Sequence, residues 1–124
     1  MNKILVIDDE PNLRKLVSAN LSRRGYQIVE AAHGREGLDL LAIEPVDLIL
    51  LDLALPGLSG WEVLELCSKD PNLRGIPVVV MTASAGDEQE AKARSLGAVG
   101  HLVKPFGVDE LMCQVQRVLK GANE

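Results

Sequence analysis

Short apolar runs that end in polar residues set the pattern of this chain. Four such runs occupy residues 4–7, 48–51, 78–81 and 102–103. An unbroken apolar run of about four residues, with turn signals close by, is typical of a strand buried on both faces, as in a parallel sheet. The pair Ile28-Val29 predicts one more strand, so we expect five strands.

Segments with helical spacing of apolar residues separate these strands. Pro11 suits the first turn of a first helix, Pro45 stops a second, and Ser59 is a suitable N-cap for a third. Acidic residues at 87, 88 and 90 favour the start of a fourth helix through the helix dipole. The inner faces of the first and last helices are predicted to carry Leu13, Leu16, Val17 and Leu21, and Leu111, Met112, Val115, Val118 and Leu119.

Strand and helix therefore alternate five times, which predicts an α/β fold. We expect one domain over residues 1–124, with a doubly wound, flavodoxin-like parallel sheet and five helices on its two faces. The number of strands and the size of the chain favour the strand order 2-1-3-4-5.

Composition limits the classes of function that the chain can have. The formal net charge is −5, which disfavours direct nucleic-acid binding by this domain. No apolar run approaches the length of a membrane span, and the N-terminus lacks the features of a signal peptide, so we expect a cytoplasmic protein without membrane contact. Cys67 and Cys113 lack metal-ligand spacing, and we interpret both as unpaired core residues.

The polar residues at the strand ends are the candidate site. Asp8 and Asp9 follow the first strand, Asp52 the third, Thr82 closes the fourth, and Lys104 follows the fifth. Taken singly, each has an ordinary explanation as a helix cap, a strand end or a surface charge. In the predicted order strands one, three and four are neighbours, so their ends converge at the edge where open α/β sheets bind ligands.

Three crowded carboxylates must take up a proton or bind a cation. Oxygen ligands without His or Cys suit Mg²⁺, which also binds phosphate oxygens. Lys104 and Thr82 offer a cation and a hydroxyl for a phosphoryl group, and Asp52 is placed to be the nucleophile that becomes an aspartyl phosphate.

At these residues the chain resembles the receiver domain of two-component response regulators, in particular the single-domain, chemotaxis-regulator-like members. The resemblance covers essentially the whole chain. It rests on Asp8-Asp9, on Asp52 with Leu55-Pro56 and Gly60, on Thr82-Ala83, and on Lys104-Pro105-Phe106.

The resemblance implies that Asp52 accepts a phosphoryl group from a phosphohistidine of a sensor histidine kinase or phosphotransfer protein. It implies Mg²⁺ ligation by Asp9, Asp52 and the Ala54 carbonyl, with Asp8 holding metal-bound water, and a cis peptide bond between Lys104 and Pro105. Such a domain is a signalling phosphoacceptor rather than an enzyme.

The resemblance also implies a switch through Thr82 and the position of His101. That switch would alter a face made of the fourth helix, fifth strand and last helix, which meets a downstream protein or a fused output domain. His101 replaces the family's usual aromatic residue, and His33, Gly37 and Ser59 are further departures from the family pattern. A solvated edge position without a switching role is the alternative for His101.

Three other functions stay open at this point. An aspartyl-phosphate-forming phosphohydrolase would want an Asp-x-Asp pair and a cap region, where this chain has Asp8-Asp9-Glu10 and no cap insert. A flavodoxin-like cofactor binder would need a phosphate loop that is not acidic. A receiver that binds partners without phosphorylation would not need all five polar residues.

Overall fold

Five parallel strands form a single sheet in the order β2-β1-β3-β4-β5, which confirms the predicted fold class and strand order. The computed structural model describes residues 2–84 and 86–122. The elements in chain order are β1 Lys3–Ile7, α1 Pro11–Arg23, β2 Gln27–Ala31, α2 Gly34–Ile43, β3 Leu48–Asp52, α3 Gly60–Lys69, β4 Val78–Thr82, α4 Asp87–Ser95, β5 Ala98–Val103 and α5 Val108–Ala122.

Alternation along the strands divides the core into two clusters, one on each face of the sheet. Leu5, Ile7 and Ile49 pack on the side of α2, α3 and α4, whereas Ile4 and Val6 pack on the side of α1 and α5. Because successive side chains of a strand point to opposite faces, each central strand supplies both clusters. This two-sided burial explains why β1, β3 and β4 are continuous apolar runs in the sequence.

Helix starts follow local chemistry. The Ser59 hydroxyl accepts a hydrogen bond from the Glu62 amide at 3.2 Å, which confirms Ser59 as the N-cap of α3. Gly37 lies where α2 crosses β1, and a Cβ at this position would press against the side chain of Ile7. The glycine therefore costs helix propensity but lets α2 pack closely on the sheet.

Two details of the predicted core are wrong. Leu16 is 58% exposed, because the buried stripe of α1 runs through Val17, Ser18 and Leu21 and leaves Leu16 on its flank. Cys67 is buried as expected, and burial raises the pKa of its thiol to about 11, but Cys113 is exposed on α5.

The fifth strand is longer than its apolar pair predicted. It spans six residues whose burial alternates, as is typical of a strand at the edge of a sheet. In the part of the chain that the structure describes, no helix is long and apolar enough to cross a membrane.

Candidate functional site

The five polar residues predicted for the site stand at one edge of the sheet. Asp8 and Asp9 directly follow β1, Asp52 and Thr82 are the last residues of β3 and β4, and Lys104 directly follows β5. The parallel register carries these ends to the same side, with Ile7 opposite Leu51 and Asp52 opposite Met81. Asp8, Asp9 and Asp52 each place a carboxylate oxygen within 4.8 Å of the others.

Two of the three carboxylates are buried and share one ammonium group. Asp8 is fully buried and Asp52 is 3% exposed, whereas Asp9 is exposed to solvent. Lys104 Nζ lies 2.9 Å from Asp8 Oδ2 and 3.3 Å from Asp52 Oδ2. The second oxygen of each carboxylate accepts a backbone hydrogen bond. The Glu10 amide donates to Asp8 Oδ1 at 2.8 Å, and the Ala54 amide donates to Asp52 Oδ1 at 3.0 Å.

Burial raises the pKa of Asp52 above its usual value of 3.8, and the negative charge of Asp8 acts in the same direction. The Ala54 amide and the Lys104 ammonium offset only part of this increase. Burial alone would lower the pKa of Lys104, but its contacts with Asp8 and Asp52 outweigh burial and raise it. Lys104 is therefore held in its charged form, and Asp52 is a more basic carboxylate than a solvated one.

The donor set fits a divalent cation. Three carboxylates against one ammonium leave the site with excess negative charge, and the available ligands are all oxygen. Mg²⁺ prefers such ligands and keeps several of its waters, which the solvent-exposed Asp9 side leaves room for. Ala54, whose carbonyl the resemblance implies as a ligand, is exposed at the start of the loop after β3.

Gly60 holds this loop beneath the end of β3. Its amide donates to the Leu53 carbonyl at 3.1 Å, and a Cβ at Gly60 would overlap the Asp52 carbonyl oxygen and the Leu53 Cα. The sequence identifies Gly60 as part of the family motif. The lack of space for a side chain between Gly60 and the backbone of β3 is visible only in the structure. The start of α3 therefore contacts the backbone of Asp52 directly.

Thr82 is buried, and its hydroxyl faces α4. Thr82 Oγ1 lies 3.3 Å from Gln89 Oε1 and 3.3 Å from the Ser84 carbonyl oxygen, and it accepts a hydrogen bond from the Ser84 amide at 3.2 Å. The Ser84 hydroxyl donates to the same Gln89 Oε1 at 2.9 Å. Gln89 is not predictable as part of the site from the sequence, because it lies in a polar helix and not at the end of a strand.

His101 lies on β5 opposite Val80, on the α4 side of the sheet. Its side chain is only 11% exposed, so His101 is not the solvated residue of the alternative, and its switching role stays a prediction. His101 Nδ1 is 3.9 Å from Glu90 Oε2, and Nε2 is buried without a hydrogen-bond partner among the described residues. Glu90 also pairs with Arg94 at 3.2 Å.

The peptide bond between Lys104 and Pro105 is cis.

Comparison with known proteins agrees with this geometry. The family described as "Response regulator receiver domain" matches residues 4–116. The chain is 37% identical over 118 residues to sporulation initiation phosphotransferase F of Bacillus subtilis, covering 94% of this chain and 93% of that protein. It is 37% identical over 123 residues to the transcriptional regulatory protein KdpE of Mycobacterium tuberculosis, covering 97% of this chain but 52% of KdpE.

Solved structures give the same result. The chemotaxis response regulator CheY4 of Vibrio cholerae superposes with a TM-score of 0.90 at 32% identity, covering 95% of this chain and 98% of that chain. The receiver domain of Francisella response regulator 1452 gives a TM-score of 0.91 at 28% identity, with 98% of each chain covered. With its fold, its strand-end residues and these matches in agreement, the chain belongs to the receiver domain family of two-component response regulators.

Proposed function

We propose that this receiver domain accepts a phosphoryl group on Asp52, in a reaction that requires Mg²⁺, from a histidine kinase or phosphotransfer protein. The observation that carries the proposal is the buried Asp52 carboxylate, which has one oxygen held by the Ala54 amide and the other beside Lys104. The domain promotes only its own phosphorylation and dephosphorylation, and in that sense is not an enzyme.

The side chains divide the reaction between them. An Asp52 oxygen attacks phosphorus, the bond from phosphorus to the donor's histidine nitrogen breaks, and the imidazole leaves. Lys104 supplies positive charge within reach of Asp52, where it balances charge on the phosphoryl oxygens. Mg²⁺, held by Asp9, Asp52 and the Ala54 carbonyl with Asp8 toward a metal-bound water, would neutralise further charge on those oxygens.

Asp52 suits the nucleophile's role better than its two neighbours. Asp8 is more deeply buried and has Lys104 Nζ at 2.9 Å, whereas Asp9 is open to water, which solvates its oxygens. Asp52 lies between these extremes, and burial makes its carboxylate more basic than usual. A more basic carboxylate is a better nucleophile toward phosphorus.

Incubation with a small acyl phosphate tests the function. We expect the intact protein to gain the mass of one phosphoryl group when Mg²⁺ is present and to gain nothing when the metal is chelated. Continuous release of phosphate from phosphorylated small molecules, without a protein adduct, would support the phosphohydrolase alternative. Absence of any adduct with Mg²⁺ present would support a receiver that acts without phosphorylation.

The relatives suggest two kinds of partner. One carries the name of a phosphotransferase and has nearly the length of this chain, and another is a transcriptional regulator about twice as long. We propose that this domain exchanges phosphoryl groups with a kinase or phosphotransfer protein in the cytoplasm. We further propose that it controls either a downstream protein or a fused output domain through α4, β5 and α5.

His101 is the proposed marker of that output face. Thr82 and His101 point to the same side of the sheet, so a shift of Thr82 toward phosphoryl oxygens changes the space beside His101. We expect the ring resonances of His101 and the amides of α4 and β5 to move when Mg²⁺ and beryllofluoride, a phosphoryl mimic, are added in an NMR titration at fixed pH. Changes confined to the loops around Asp8, Asp52 and Lys104 would exclude His101 from the switch.

A further inference from the structure

The hydroxyl of Thr82 already makes hydrogen bonds with α4 and with the loop that precedes it. Its oxygen accepts from the Ser84 amide at 3.2 Å, and its single hydrogen has two acceptors in range, Gln89 Oε1 and the Ser84 carbonyl, each at 3.3 Å. A hydroxyl can donate only one hydrogen at a time. A phosphoryl oxygen on Asp52 would need that same hydrogen, so it must compete with these two acceptors.

Gln89 is the acceptor that links this competition to a helix. Its Oε1 also accepts a hydrogen bond from the Ser84 hydroxyl at 2.9 Å. One amide oxygen is therefore within hydrogen-bonding distance of two hydroxyls, one at the end of β4 and one in the following loop. The Ser84 carbonyl, in contrast, belongs to the loop itself and does not connect Thr82 to α4. Loss of the Gln89 contact would therefore remove one of the two acceptors that compete for the Thr82 hydrogen, and with it a polar contact between Thr82 and α4.

The fourth helix has few other attachments. Its sequence is mostly charged, and Ala93 is its only buried residue among those described. Two further side-chain contacts of α4 involve charged groups: the Lys92 ammonium lies 4.4 Å from the centre of the Trp61 ring, and Glu90 lies beside His101. A helix held by so little apolar packing has a position that single polar contacts can shift.

We propose that Gln89 is a positioning residue that holds Thr82 in its unphosphorylated arrangement and gives up this contact when Asp52 is phosphorylated. The release of this contact on phosphorylation rests on the proposed function of Asp52, whereas the contact itself does not. Gln89 does not touch the reacting atoms in this mechanism. It sets how readily Thr82 becomes available to the phosphoryl group, and it passes the change to α4.

The test replaces Gln89 by Met, which keeps the length of the side chain and removes the acceptor. We expect Gln89→Met to bind beryllofluoride, in the presence of saturating Mg²⁺, about fivefold more tightly by calorimetry, because one ordinary hydrogen bond no longer competes. Gln89→Glu, which retains an acceptor oxygen, should bind no more tightly than the wild type. Equal or weaker binding by Gln89→Met would overturn the proposal.

A double-mutant cycle separates positioning from general loosening of α4. In a Thr82→Ala background the effect of Gln89→Met should disappear, because no hydroxyl remains to be released. Glu88→Met, at the adjacent exposed position of α4, is the matched control and should leave affinity unchanged. An effect of Gln89→Met that persists without the Thr82 hydroxyl would show that it does not act through Thr82.

A metal-free measurement keeps this inference distinct from the proposed function. Without Mg²⁺ or beryllofluoride, Gln89→Met should move the methyl resonance of Thr82 and the amide resonance of Ser84, and Glu88→Met should move neither. If the wild type fails to bind beryllofluoride, the proposed function is wrong, and these resonances still decide whether Gln89 holds Thr82. Unmoved resonances would overturn the restraint itself.

Discussion

Replacement of Asp52 by asparagine is expected to abolish phosphorylation by a small acyl phosphate while the fold is retained. The amide has nearly the same shape as the carboxylate but lacks the charged oxygen that attacks phosphorus. Burial raises the pKa of Asp52, so the folded protein disfavours the charged form of this group, and a neutral amide removes that penalty. We therefore also expect the melting temperature of Asp52→Asn to be higher than that of the wild type by a few degrees.

Mass spectrometry of the intact protein measures the first result and calorimetric melting the second. Asp39→Asn is the matched control, because Asp39 is an exposed carboxylate on α2, away from the strand ends. It should be phosphorylated at the wild-type rate and melt at nearly the wild-type temperature. Uptake of a phosphoryl group by Asp52→Asn at the wild-type rate would exclude Asp52 as the acceptor.

The architecture was predictable because burial on both faces leaves a strong trace in the sequence. The central strands β1, β3 and β4 are buried on both faces, so each contains a continuous apolar run that is followed by a polar residue. Parallel connections then bring those polar residues to one edge. The sequence alone therefore predicts that Asp8, Asp52 and Thr82 lie close together.

The electrostatics of the site were predictable only in part. Crowding of three carboxylates follows from the strand order, but the sharing of Lys104 between Asp8 and Asp52 depends on where β5 ends relative to β4. The register of that pair shifts between Val78 and Val79. An irregularity of this kind leaves no pattern of apolar and polar residues from which its position could be predicted.

The contacts of α4 could not be predicted from sequence patterns, for a different reason. Periodicity reveals the faces of a helix that bury apolar side chains, whereas Gln89 and Glu90 meet the sheet through polar groups. A polar residue in a charged helix has the same appearance whether it faces solvent or a buried threonine. Cys113 and Leu16 show the converse error, since apolar character alone did not place them in the core.

Replacement of Gly60 by alanine is the change that should most strongly disturb both the fold and the site. The added Cβ would meet the carbonyl oxygen of Asp52 and the Cα of Leu53, which are backbone atoms that cannot move aside as a flexible side chain can. Relief requires α3 to move away from β3, which stretches the hydrogen bond from the Gly60 amide to the Leu53 carbonyl. We expect unfolding free energy to fall by about 2 to 3 kcal/mol in urea titrations, the upper range for overpacking.

Gly107→Ala is the control, because a Cβ at Gly107 has no atom within 4 Å and the backbone there does not require glycine. That substitution should change stability by less than about 1 kcal/mol, because alanine restricts the unfolded chain but is a poorer residue than glycine at the position before α5. In Gly60→Ala the displaced Asp52 should also be phosphorylated more slowly than in the wild type, because the attacking oxygen must be held in line with phosphorus. Equal stabilities of the two variants would mean that α3 can retreat from β3 freely, and that Gly60 does not fix the position of the Asp52 backbone.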